Sequence, residues 1–107
     1  MEPIQSFEDF WPFYLSQHRH PWSRWLHFFG TAAAVSWMIT SLLLRPSWFP
    51  LALVLGYGPA WVGHFFFEKN RPATFRYPLW SLQGDFKMWG FMVTGRLTRE
   101  LDRLGLR

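Results

Sequence analysis

Two long apolar stretches separated by a short polar turn dominate the pattern along the chain. From Phe28 to Leu44 no charged residue occurs in 17 positions, and Trp25 and Leu26 extend the run toward the N-terminus. A second run covers residues 49–67, with His64 as its only ionisable residue. Each has the length a helix needs to cross a bilayer core, about 17–25 residues. Between them, Arg45-Pro46-Ser47-Trp48-Phe49-Pro50 reads as a turn. The pattern predicts spans over about 25–44 and 49–67, joined as a helical hairpin. Gly56, Gly58 and Pro59 inside the second run predict a kink or short unwound stretch near Pro59, whose freed backbone groups neighbouring helices can satisfy. Gly30, Ala32, Ala33 and Ala34 are small enough for close helix contact.

Outside the spans the pattern turns amphipathic. From Ser6 to about Gln17, Phe7, Phe10, Trp11, Tyr14 and Leu15 follow helical spacing along one side, as a short interfacial helix does. Ser6 and Asp9 stand at capping-box spacing, whereas Pro12 argues for a later start. His20-Pro21 punctuates the chain and opens a new helix at Pro21. Residues 68–72 form a polar break. Over 78–104, Leu79, Leu82, Phe86, Trp89, Met92 and Val93 alternate with Gln83, Asp85 and Lys87, predicting one amphipathic helix that Gly84, Gly90 and Gly95 weaken. The expected fold is therefore all-α: a small integral membrane helical protein, one domain over residues 1–107, with two transmembrane helices as a hairpin plus N- and C-terminal amphipathic helices. The competing arrangement, a soluble protein with both apolar helices as core, would need oligomerisation to cover them.

Composition sharpens this picture. Half the 107 residues are hydrophobic and 21% aromatic, with 8 Trp and 12 Phe, which suits an interface between hydrocarbon and headgroups. The mean hydropathy of −0.04 averages over very unlike regions. A net charge of +4 fits anionic lipid better than nucleic acid, because the aromatic residues lie in apolar runs and not among Lys and Arg on one face. There is no cysteine, which excludes disulfides. The N-terminus lacks the pattern of a cleavable signal peptide. Arg19 and Arg24 before the first span, and Lys69, Arg71 and Arg76 after the second, face a turn carrying only Arg45, so both termini are expected to be cytoplasmic. The membrane would be the inner membrane of a bacterium or the endoplasmic reticulum of a eukaryote. With only two spans, a homo-oligomer would help to enclose a site.

The four histidines, His18, His20, His27 and His64, all fall near span ends, and a hairpin with both termini on one side gathers them into one layer. His20 and His27 are two helical turns apart, and His64 and Glu68 share a helix face. Neutral imidazoles with a carboxylate suit iron, zinc, copper or nickel. Read singly, each histidine is more often a hydrogen-bonded anchor than a ligand; intramembrane polar groups are nonetheless functional candidates by default. Asn70 and Asp85 are placed to orient a histidine, though Asn70 serves equally as a helix cap. Lys69, Arg71 and Arg76 read as interfacial anchors first and carboxylate or headgroup binders second. No phosphate loop, nucleophile elbow or paired catalytic carboxylates occur, and four histidines are too few for a membrane di-iron desaturase. A bis-histidine haem site on His27 and His64, and a non-catalytic membrane protein, remain open.

Two stretches carry a resemblance. His18-Arg19-His20-Pro21 with His27 and Gly30, and then Gly63-His64-Phe65-Phe66-Phe67-Glu68-Lys69-Asn70-Arg71-Pro72-Ala73, resemble the signature of a family of small membrane proteins. Its pattern is roughly His-x-x-Pro-x5-His followed by Gly-His-x3-Glu-x3-Pro-Ala, and the family includes the fungal 2-hydroxy fatty acid dioxygenase of α-oxidation. The likeness covers about Phe13 to Asp85. It implies a membrane-bound, iron(II)-dependent dioxygenase, with Fe(2+) held by His18, His27 and His64 and with His20, at a variable position, as a weaker candidate. It further implies that Glu68 is a fourth ligand or orients a histidine. On the same likeness Lys69, Asn70, Arg71 and Asp85 are expected to stand near the substrate, a membrane-derived 2-hydroxy fatty acid that reacts with O2.

Overall fold

The computed structural model describes residues 4–106, and among these every regular element is helical. Five α-helices follow in order: α1 (Phe7–Ser16), α2 (Pro21–Leu44), α3 (Leu51–Val62), α4 (Pro78–Val93) and α5 (Leu97–Arg103). Short 3-10 turns at Pro46–Trp48 and Ala73–Phe75 and a π-helical segment at Gly63–Glu68 connect them. Helix α2 and the continuous run Pro46–Glu68 are each long and apolar enough to cross a bilayer, and they pack antiparallel as a hairpin.

The hairpin is built inside out relative to a water-soluble core. Its seam on α2 is Ser23, His27, Gly30, Ala34 and Ser41, all buried at spacings of three, four and seven. Large apolar side chains point outward instead: Phe29, Leu43 and Leu44 are 63%, 78% and 76% exposed. Small residues inside and bulky apolar ones outside are what helix pairs adopt in lipid, where burial of a leucine gains nothing and close backbone contact does. The backbones approach closely at Gly30, where a methyl group would come within 3.1 Å of the Leu55 and Gly56 carbonyl oxygens.

The second span departs from the expected unwinding at Pro59. Helix α3 runs unbroken through Pro59, and the irregularity lies beyond it, in the π-helical Gly63–Glu68. Proline at 59 leaves the Leu55 carbonyl without its helical donor, and this carbonyl faces the bare Cα of Gly30.

A second departure is at the N-terminus. Helix α1 starts at Phe7, before Pro12, with the Ser6 hydroxyl accepting from the Asp9 N–H at 3.1 Å. An interior proline costs about 3 kcal/mol, but Phe10, Trp11, Tyr14 and Leu15 are all buried from this helix. Burying a large apolar side chain contributes roughly 1.5–3 kcal/mol, so packing outweighs the broken bond. These four side chains form the core with Ala73, Met88, Leu97 and Leu101. The third departure is the split of the C-terminal amphipathic stretch into α4 and α5. Gly95 takes a positive φ of 70°, and the Arg96 N–H reaches back to the Phe91 carbonyl at 2.8 Å, closing α4 as glycine-capped helices do. The amphipathic segments thus fold into a conventional aromatic core capping one end of the hairpin.

A candidate tri-histidine metal centre

Where this cap meets the hairpin, three helix ends each deliver one histidine. His18 follows the end of α1, His27 lies in the second turn of α2, and His64 sits at the start of the π-helical segment. All three are at most 4% exposed. Their ring centroids are 4.4 Å apart for His18–His27, 4.4 Å for His18–His64 and 5.0 Å for His27–His64, with the rings near perpendicular. One ligand nitrogen from each lies within 4.8 Å of the others.

The hydrogen bonds decide which nitrogens are free. His18 Nδ1 is 2.6 Å from the Tyr14 carbonyl, which at the C-terminus of α1 also accepts from the Gln17 N–H at 3.1 Å. His27 Nδ1 is 2.9 Å from the Ser23 carbonyl. His64 Nδ1 is 2.7 Å from Asn70 Oδ1, and Asn70 Nδ2 donates to the Gln17 carbonyl and Oε1, both at 3.1 Å. Because both Gln17 partners are acceptors, the Asn70 amide orientation is fixed and its oxygen faces His64. All three Nδ1 atoms must therefore be donors, which leaves every Nε2 as a lone pair.

Two of those lone pairs, on His18 and His27, are only 3.0 Å apart. Facing lone pairs repel unless a cation lies between them. A proton is disfavoured: burial first, then the neighbouring His27 and His64, hold the His18 imidazole well below its ordinary range. A metal fits better. With bonds of about 2.1 Å, cis nitrogens around an ion stand roughly 3.0 Å apart at right angles. Neutral, buried imidazoles each fixed by a second hydrogen bond are the donor chemistry of a divalent transition metal, iron(II) included.

The other expected site residues lie around this group. His20 is the N-cap of α2; its Nδ1 accepts from the Trp22 N–H at 3.2 Å and its ring packs on Phe67, outside the cluster. Glu68 Oε1 accepts the His20 N–H at 2.6 Å, tying the end of the π-helical segment to the start of α2. Asn70 orients His64 and also caps, its own N–H reaching the His64 carbonyl at 3.0 Å. Lys69, in the left-handed region at φ 59°, and Arg71 are exposed. Asp85, on α4, accepts a hydrogen bond from the Tyr14 hydroxyl. Tyr14 escaped the sequence reading as a site residue, although its place four residues before His18, one turn back along the predicted helix, was a signal. Gln17 left none, since its partner is 53 residues away.

His18 stands equally close to His27 and His64, in the ground that a porphyrin between those two would need, so the haem arrangement does not fit. Beside the cluster, an apolar cavity of about 370 Å3 runs between α2, α3 and α4. His27 and Asp85 lie on its wall, with Thr31, Ala34 and Met38 along α2 and Gly56 on α3.

Fold and site together define a class: a small all-α protein whose candidate membrane hairpin carries a buried tri-imidazole centre at one end. The family model described as 2-hydroxy-palmitic acid dioxygenase Mpo1-like matches residues 4–97, and the chain belongs to this family. No curated protein and no solved structure matches the chain.

Proposed function

We propose that this protein is a membrane-embedded, iron(II)-dependent dioxygenase that shortens a 2-hydroxy fatty acid by one carbon. The observation that carries the reading is the convergence of three imidazoles whose Nδ1 atoms are all committed to acceptors, beside an apolar cavity that His27 lines. His18, His27 and His64 would hold the ion, leaving positions for other ligands. An Fe(II) ion there supplies the O2 activation that no side chain can perform. The chain's own groups do the rest: the cavity takes the acyl chain and excludes water, Asn70 keeps His64 in its tautomer, and Glu68 holds the α2 entry against the π-helical segment. Lys69 and Arg71, at the surface beside this end, are suited to meet a carboxylate as it arrives.

The stoichiometry is self-contained. One 2-hydroxy acid plus one O2 balances as the acid one carbon shorter, carbon dioxide and water, so the substrate itself provides all four electrons. Membrane insertion is supported by the outward-facing bulky side chains of the hairpin and by spans only 17% and 22% buried. Arg19, Arg24, Lys69, Arg71 and Arg76 at the site end against Arg45 at the turn support a cytoplasmic site end.

The test is metal content of detergent-purified protein prepared anaerobically, beside His64→Ala. About one iron per chain, lost in the variant, together with O2 uptake dependent on 2-hydroxypalmitic acid, is the expected result. Protein that takes up no Fe(II), or whose iron survives loss of His64, refutes the assignment.

A further inference from the structure

The cavity wall is mostly apolar; besides His27 it carries the hydroxyls of Thr31 and Tyr57 and a single carboxyl, that of Asp85. Tyr14 holds that carboxyl: its hydroxyl donates to Asp85 Oδ1 across 71 residues of sequence. The phenol is itself clamped, fully buried, stacked on His18 at 4.1 Å and on Trp11 at 5.7 Å. A methyl group at Gly84 would come within 3.0 Å of its ring. Asp85 is thus fixed through Oδ1, and Oδ2 is not among the buried side-chain atoms left without a partner. On a residue that lines the cavity, Oδ2 is open to whatever enters it.

Resting on the function proposed above, we infer that Asp85, held by Tyr14, is the group that recognises the 2-hydroxyl of the fatty acid and so separates hydroxylated from plain acyl chains. An apolar groove accepts either chain, because a hydroxyl added to a hydrophobic ligand is weakly discriminated. A fixed carboxyl changes this. With a 2-hydroxy acid, Oδ2 exchanges water for the ligand's hydroxyl; with a plain acid it is desolvated and left unpaired. Burial also pushes the Asp85 carboxyl up to about 7, which lessens its repulsion of the ligand's own carboxylate.

The experiment is competition of 2-hydroxypalmitic and palmitic acids against a fluorescent long-chain fatty acid, with the full chain in nanodiscs and no iron added. Without the ion nothing turns over, and any preference for the hydroxyl comes from the protein. The wild type should prefer the 2-hydroxy acid about tenfold. Asp85→Leu should bind palmitic acid as before and lose the preference, Asp85→Asn should keep part of it, and Tyr14→Phe should lower it. An unchanged preference in Asp85→Leu overturns the inference, as does a wild type that binds both acids equally; the lipid groove survives either result. If neither acid binds the wild type, the groove reading itself fails. Should Asp85→Leu bind neither, Tyr14→Phe decides: a lowered preference supports the role and an unchanged one overturns it.

Discussion

Asn70 offers the sharpest test of the metal centre, because it touches no ion and acts only through His64. Its Oδ1 accepts from His64 Nδ1 at 2.7 Å, and its amide is anchored by two 3.1 Å bonds to Gln17. Asn70→Ala removes all three side-chain bonds and leaves the backbone bond to the His64 carbonyl. His64 then loses both its orientation and the acceptor that keeps the lone pair on Nε2. Loss of such an orienting partner typically weakens metal binding about 10–100-fold, equivalent to roughly 1.4–2.7 kcal/mol. Asn70→Asp keeps the acceptor toward His64 but turns a carboxylate oxygen toward the Gln17 carbonyl and Oε1, so its affinity should stay nearer wild type than that of Asn70→Ala while its thermal stability falls. The assay is anaerobic Fe(II) titration against a competing chelator. An Asn70→Ala protein with wild-type affinity, or an Asn70→Asp protein as weak as Asn70→Ala, would refute the tautomer argument.

Further outcomes follow from other contacts. Gly30→Ala puts a methyl 3.1 Å from two backbone oxygens of α3, so the hairpin must part and thermal stability in detergent should fall by about 1–3 kcal/mol; an unchanged melting temperature would contradict the packing. Lys69→Gly relieves a left-handed residue at φ 59° and should raise stability by roughly 1 kcal/mol, measured by the same melt. Asp85 is pushed by burial from 3.8 to about 7, so the folded state holds its proton more tightly than the unfolded chain. The stability this contributes is fully present below about pH 4 and is lost as pH rises through 7, by at most about 4 kcal/mol. Melts from pH 5 to 8 should show wild-type stability falling relative to Asp85→Asn, whatever slope the buried histidines give to both proteins; parallel curves would show that Asp85 is not the titrating group.

The hairpin, its turn and the start of α2 at Pro21 could be read from the chain because they rest on local matters: long runs without charge, and a proline at a first helical turn. The gathering of His18, His27 and His64 followed from the same topology, since a hairpin must return its ends to one side. Local rules misjudged Pro12, where the lost helical bond is offset by burial of the aromatic core, and they placed at Pro59 an irregularity that falls four residues later, in Gly63–Glu68. They likewise joined α4 to α5, since the hydrophobic period continues across Gly95 and only its backbone conformation breaks the helix. Within the site, the resemblance pointed to His18, His27 and His64 with His20 as the weaker candidate, and the structure groups those three. His20 stands apart because its extended N-cap backbone commits the ring to α2, and Glu68 is taken by the His20 N–H. The pairings Asn70–Gln17 and Tyr14–Asp85 span 53 and 71 residues. No periodicity encodes such contacts; packing of the cap onto the hairpin creates them, and with them the choice of which nitrogen each histidine presents.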